Sequence, residues 1–150
     1  MIRVQAEDFD IAAEMEAIAS HSTSLGAIAS FVGVVRDMAG DGGPSSMTLE
    51  HYPGMTERML REIDEEACRR WPLEASLVIH RYGRLEPGDR IVLVVTASAH
   101  RQAALEACAF LIDWLKTKAP FWKLEETQDA SHWVEARARD DDAAARWDKE

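Results

Sequence analysis

Three of the four lysines in the chain fall within eight residues, Lys116-Thr117-Lys118-Ala119-Pro120-Phe121-Trp122-Lys123, on a protein whose formal net charge is −10 at pH 7. Clustered ammonium groups depress one another's pKa values and attract anions, and both effects suit a lysine that acts on an anionic substrate. A structural reading stands beside this one: Lys116 and Lys118 close a predicted helix, where cations complement the negative end of the dipole. His100-Arg101 form a second group, in the first turn of the same predicted helix just after Ser98. A cation beside the positive helix end is unfavourable unless an anion joins it, and free backbone N–H groups with an arginine make a phosphate site. The alternative is that both side chains point to solvent or pair with carboxylates. Arg36, which ends an apolar strand and begins a glycine-rich loop, is a third candidate.

Spacing constrains how these groups can cooperate. His100 and Lys116 on one continuous helix lie about 24 Å apart at 1.5 Å per residue, too far to touch one small substrate within one chain. Either there are two sites, or one site is shared across a two-fold dimer, the commonest oligomer. Strand alternation after Pro120 puts Phe121, Lys123 and Glu125 on one face, opposite Trp122 and Leu124, with Trp122 read as core. His21, His51, His80 and His132 stand in no ligand spacing and carry no assigned role.

The elements that must position these residues follow from periodicity. Ile11, Ala12, Met15, Ile18 and Ala19 mark one face of a first helix capped by Asp8 or Asp10. Residues 26–36 read as an apolar strand whose glycines weaken it or admit another backbone. Residues 37–46 form a loop, and residues 47–52 a strand. After Pro53-Gly54, the residues Met55, Met59, Leu60, Ile63, Ala67 and Trp71 follow helical spacing. Residues 77–82 and 91–96 read as antiparallel neighbours joined across Glu86-Pro87-Gly88-Asp89. Ser98 is the expected cap of a helix to about Lys118, burying Ala104, Cys108, Leu111, Ile112 and Leu115; Pro120 stops it. Residues 121–126 and 132–136 are expected short strands, and residues 140–150 a polar, frayed end. The mixture favours α+β over a doubly wound sheet.

A chain of 150 residues, 47% of them hydrophobic, is the size of one domain with a real core. Its start lacks the apolar stretch of a signal peptide and no segment approaches a membrane span, so a cytoplasmic protein is expected. Cys68 and Cys108 lie on separate predicted helices without partners at metal spacing. They are read as buried thiols, with neither a disulfide framework nor a metal site. The acidic balance argues against nucleic-acid binding, which needs a broad basic face.

The blocks Phe31-Val32-Gly33-Val34-Val35-Arg36, Leu49-Glu50-His51-Tyr52-Pro53-Gly54-Met55, Ile79-His80-Arg81-Tyr82-Gly83, Ser98-Ala99-His100-Arg101, Lys116 to Lys123 and Trp133-Val134-Glu135-Ala136 occur in this order. Together they resemble the large, catalytic subunit of molybdopterin synthase over most of the span from residue 31 to 137. The resemblance implies a single domain of α/β hammerhead type with a mainly antiparallel sheet. It implies sulfur transfer to cyclic pyranopterin monophosphate, forming the dithiolene of molybdopterin. The donor would be the C-terminal Gly-Gly thiocarboxylate of a small ubiquitin-like partner, with two large subunits as the central dimer of a heterotetramer. Carried over by motif, Lys116 and Lys123 are the catalytic lysines and line the substrate pocket, while Arg36, His100 and Arg101 bind the phosphate-bearing pterin and Arg137 lines the same pocket. No cofactor or resident metal is implied.

Two positions depart from the family's pattern. Val34 stands where a further basic residue is common, and so does Leu124 after Lys123; substrate affinity is what these departures bear on. Two readings from other classes remain at this level. One is a non-enzymatic module that holds a partner's carboxylate tail; the other is a lysine Schiff-base enzyme acting on a small carbonyl compound.

Overall fold

Strands of alternating apolar residues in the middle of the chain build a sheet with helices on both faces. The computed structural model describes residues 1–37, 40, 46–126, 131–134 and 138–149, with the backbone alone for 122–126, 131–134, 138 and 149. In chain order the elements are β1 (Ile2–Gln5), α1 (Ile11–Ala19), β2 (Ala27–Val34), β3 (Ser46–His51), α2 (Met55–Arg70), β4 (Leu73–Arg81), β5 (Gly83–Leu85), β6 (Arg90–Ser98), α3 (Arg101–Lys118), β7 (Phe121–Glu126), β8 (Ser131–Val134) and α4 (Ala138–Ala145). A final 3₁₀ turn covers Arg146–Lys149.

The first sheet has the order β1-β4-β6-β2, parallel between β1 and β4 and antiparallel elsewhere. The period of two sends Leu77, Ile79, Leu93 and Val95 to one face, where Phe9 and the apolar side of α1 cover them. Val78, Val92 and Val94 face the other way, into the main core with α2 and α3. The second sheet, β5-β3-β7-β8, is antiparallel throughout, and Val35, Met47, Leu49 and Leu85 form its own small cluster. The expected α+β class is what forms, with the strands divided between two sheets. β4 and β6 pair as expected, but the chain between them also contributes β5 to the second sheet.

Local chemistry accounts for most of the boundaries. The Asp10 carboxylate accepts from Ala13 N–H at 3.0 Å and starts α1. Gly54, at φ 84°, turns the chain into α2 in a conformation other residues avoid. Gly26 is a close approach: a Cβ there would lie 2.1 Å from the Ala99 carbonyl oxygen, so only glycine lets β2 begin against the turn that enters α3.

Several expectations need correction. Ser98 is not the cap of α3. The N-cap is His100, with no side chain satisfying the first-turn N–H groups, and the Ser98 hydroxyl donates to the Pro72 carbonyl at 2.9 Å. Met55 is half exposed rather than on the buried face of α2, because the neighbouring Thr56 takes the inner position. Cys68 is exposed; only Cys108 is buried, and burial pushes its thiol up to about 11, against a smaller opposing hydrogen bond from Thr96. The end of the chain is anchored rather than frayed. Trp147 meets the rings of Trp71 and Phe110 edge-on at 5.6 and 5.7 Å. Its Nε1 donates to Asp113 at 2.8 Å and its carbonyl accepts from Arg70 at 2.7 Å. Ser46 opens β3 rather than closing the preceding loop, of which residues 38–39 and 41–45 lie outside the described residues. No helix among the described residues is long and apolar enough to cross a membrane.

Candidate functional site

The register of the first sheet sorts the nominated residues into two groups. β2 and β6 are antiparallel, with Ala27 opposite Ser98 at one end and Val34 opposite Arg90 at the other. His100 and Arg101 follow directly on Ser98, so they sit at the Ala27 end. Arg36 leaves β2 at the opposite end, where Val35 N–H donates to the Asp89 carbonyl at 2.9 Å and Gly88 N–H to the Val35 carbonyl at 2.8 Å. α3 packs back across β6 and β2, so its last turn returns Lys116 toward the Arg36 end. One chain therefore sends Arg36 and Lys116 toward the same end of the sheet, and holds His100 and Arg101 at the opposite end of α3.

Charge pairing narrows the set of cations free to meet an anion. Arg3, Arg58, Arg69, Arg70, Arg81, Arg84, Arg90 and Arg146 each pair with a carboxylate. Lys118 lies over the Trp114 ring, 3.4 Å from its centroid, which spends its charge on a cation–π contact. Among the described residues Arg36, Arg101 and Lys116 are exposed and have no carboxylate partner, as is true also of Arg61 and Arg139. On a chain with 27 acidic residues, an exposed cation left unpaired stays available to an anionic ligand. The N-cap side chain of α3 leaves the first-turn N–H groups uncapped beside Arg101, which adds donors for an oxyanion.

The two lysines of interest belong to different elements joined by Ala119-Pro120, and that joint is built with care. The Thr56 hydroxyl, fully buried, donates to the Pro120 carbonyl at 3.1 Å and accepts from Tyr52 N–H at 3.0 Å. Phe121, the first residue of β7, stacks on the His80 ring at 3.7 Å and 19°. His80 Nδ1 lies 2.8 Å from the Arg81 carbonyl; a carbonyl only accepts, so Nδ1 carries the hydrogen. Burial pulls the His80 pKa down to about 4, opposed by that hydrogen bond and aided by the nearby His51, so the ring is neutral at pH 7. His51 in turn lies 4.3 Å from the Tyr82 ring and 3.7 Å from the Glu57 carboxylate. Sequence reasoning gave His51 and His80 no role and passed over Thr56. The contacts that bring them to the joint, Thr56 with Pro120 and His80 with Phe121, join distant parts of the chain, and no spacing within the sequence announces them.

Lys123 is placed by backbone alone, opposite Leu49 of β3 and Val134 of β8. Arg137 lies outside the described residues. Val34, at 47% exposure, leaves the surface before Arg36 apolar. No group of three or more His, Cys, Asp or Glu side chains among the described residues could hold a metal ion.

With this geometry in place, comparison with known proteins is direct. The family model described as "MoaE protein" matches residues 4–118. A molybdopterin synthase catalytic subunit from Ralstonia nicotianae is 53% identical over 146 residues, covering 97% of this chain and 83% of the relative. Among solved structures, the molybdopterin biosynthesis MoaE protein from Burkholderia ambifaria superposes with a TM-score of 0.86 at 50% identity, over 100% of this chain and 99% of the other. The molybdopterin synthase from Staphylococcus aureus gives a TM-score of 0.80 at 28% identity, over 89% of this chain and 96% of the other. The fold of helices on a mixed, mostly antiparallel set of strands is the one these structures share.

Proposed function

Since the chain belongs to the MoaE protein family, that of the molybdopterin synthase catalytic subunits, we propose that it transfers sulfur to cyclic pyranopterin monophosphate, forming the dithiolene of molybdopterin. The donor is the C-terminal Gly-Gly thiocarboxylate of a small ubiquitin-like subunit in the cytoplasm. The observation that carries this reading is that, among the described residues, the cations at the nominated positions Arg36, Arg101 and Lys116 have no carboxylate partner on a strongly acidic chain.

Each residue has a defined task. Arg36, Arg101 and His100, with the uncapped first turn of α3, hold the phosphate of the pterin; Arg137 lines the same pocket. Lys116 and Lys123 neutralise the thiocarboxylate and then the oxyanion that forms when its acyl carbon is attacked. In each transfer the thiocarboxylate sulfur attacks an oxygen-bearing carbon of the pterin side chain; the C–S bond forms, the C–O bond at that carbon breaks with its oxygen leaving as water or staying on the phosphate, and the product is a thioester. Water then adds to the acyl carbon, the acyl C–S bond breaks, sulfur stays on the pterin, and the tail leaves as a carboxylate carrying the water oxygen. A lysine that gives up and regains a proton carries the water's proton away. Two donor tails supply one dithiolene.

The separation of about 24 Å along α3 supports a shared site, with Lys116 from one subunit and His100-Arg101 from its two-fold mate. Apolar surface for that contact is present: Leu105 is 61% exposed in the second turn of α3, and Phe31 and Val34 are exposed on β2, an edge strand of its sheet. The test is the fate of the donor tail. Mass spectrometry of the small subunit should show thiocarboxylate becoming carboxylate only when this protein and the pterin are both present; conversion without the pterin, or none with it, rejects the reading.

A further inference from the structure

Lys116 and Lys123 can share one thiocarboxylate only if α3 and β7 leave the Ala119-Pro120 joint at one fixed angle. Proline supplies no N–H, so its carbonyl is its only backbone hydrogen-bonding group. That carbonyl is held by Thr56, a residue from the start of α2 and 64 positions away in sequence. Thr56 has its own anchor in Tyr52, whose N–H it accepts through Oγ1 and whose carbonyl accepts Thr56 N–H at 2.9 Å. The turn between β3 and α2 is thereby tied to the turn between α3 and β7 through one buried hydroxyl. On the far side of the joint, the stacked His80 ring fixes Phe121 against the first sheet.

We propose that Thr56 is a positioning residue for sulfur transfer: by holding the Pro120 carbonyl, its hydroxyl sets how β7 departs from α3 and so where Lys123 lies relative to Lys116. The inference rests on the functional reading above for the role of the lysines, but the clamp itself is a statement about geometry. Small misplacements of groups that must act together are costly to turnover and cheap to binding, because the binding surface is wide and the reacting geometry is narrow.

The experiment compares Thr56→Val and Thr56→Ser with wild type in the reconstituted complex, using the pterin precursor and thiocarboxylated small subunit. Thr56→Val keeps the shape and loses the hydroxyl, and should lower kcat by about 10- to 100-fold with KM within about three-fold. Thr56→Ser restores the hydroxyl and should return kcat to within about three-fold of wild type. Wild-type kcat per folded molecule in Thr56→Val, or a serine variant as slow as the valine one, overturns the proposal. Should Thr56→Val fail to fold, His80→Leu removes the ring beneath Phe121 and should show the same split of kcat from KM; unchanged kcat there overturns it equally. If wild type makes no product, the sulfur-transfer reading fails, and the clamp is decided by hydrogen exchange. Backbone amides of residues 117–119 and 121–124 should then exchange faster in the valine variant, or in His80→Leu if that is the one that folds, than in wild type and the serine variant, and equal protection overturns it.

Discussion

Two inactive variants that revive on mixing would give the most demanding check of a shared site. Lys116→Ala removes the cation at the C-terminal end of α3, and Arg101→Ala removes the one at its N-terminal end. α3 runs unbroken from Arg101 to Lys118, so no bending brings the two groups of one chain together. In a dimer with one site at each end of the two-fold interface, each homodimer carries two defective sites. A mixed dimer carries one site with both defects and one with neither. Equal amounts reassociated at random give half mixed dimers, so activity should recover to about one quarter of wild type. The assay is dithiolene formation after the two variants are mixed, dissociated gently and reassembled, with the mixed species verified by mass. A mixture as inactive as its parents would refute the shared site and require both cations to act within one chain or at two separate places.

Other consequences can be read on the isolated protein. The His80 pKa is lowered from 6.5 to about 4. The unfolded chain therefore binds the proton first, and stability is complete above pH 6.5 and falls as pH drops toward 4, by about 3 kcal/mol from this group; His80→Phe should flatten that part of a denaturation-versus-pH curve. The lowered carboxylates Asp8, Glu66, Glu74 and Glu106 act in the same direction but at lower pH. Gly26→Ala forces a Cβ against the Ala99 carbonyl and should cost about 1–3 kcal/mol while displacing the entry to α3, lowering activity beyond what the folded fraction explains. Trp147→Ala removes a ring from Trp71 and Phe110 and strands a hydrogen bond to Asp113, and should cost about 2–4 kcal/mol in chemical denaturation.

The sequence is most legible where local forces decide. Helical spacing defines α1 and α3 closely, Asp10 is the cap it should be, and the run around residues 91–96 is a buried central strand. β1 and β5 escape notice because four and three residues are too short for periodicity, and their partners, β4 and β3, come from elsewhere in the chain. The end of the chain misleads because Asp140-Asp141-Asp142 reads as solvated, while the contact that anchors it, Trp147 against Trp71 and Phe110, is tertiary. For the site, charge clustering and the helix end point to Lys116, His100 and Arg101, and the helix length poses the shared-site question before any fold is known. Thr56 and His80 lie beyond such reasoning: a threonine in an amphipathic helix and a histidine in a strand have ordinary local surroundings, and their partners Pro120 and Phe121 are brought to them only by folding.

Sulfur transfer itself is tested most directly by a single-turnover reaction of the purified protein, the pterin precursor and a thiocarboxylated small subunit, with Lys116→Ala and Lys123→Ala run in parallel. The account predicts dithiolene product from wild type, and a loss on the order of 100-fold or more in each variant while the complex with the small subunit still forms. A stable wild-type complex that yields no product, or lysine variants that turn over at the wild-type rate, would contradict it.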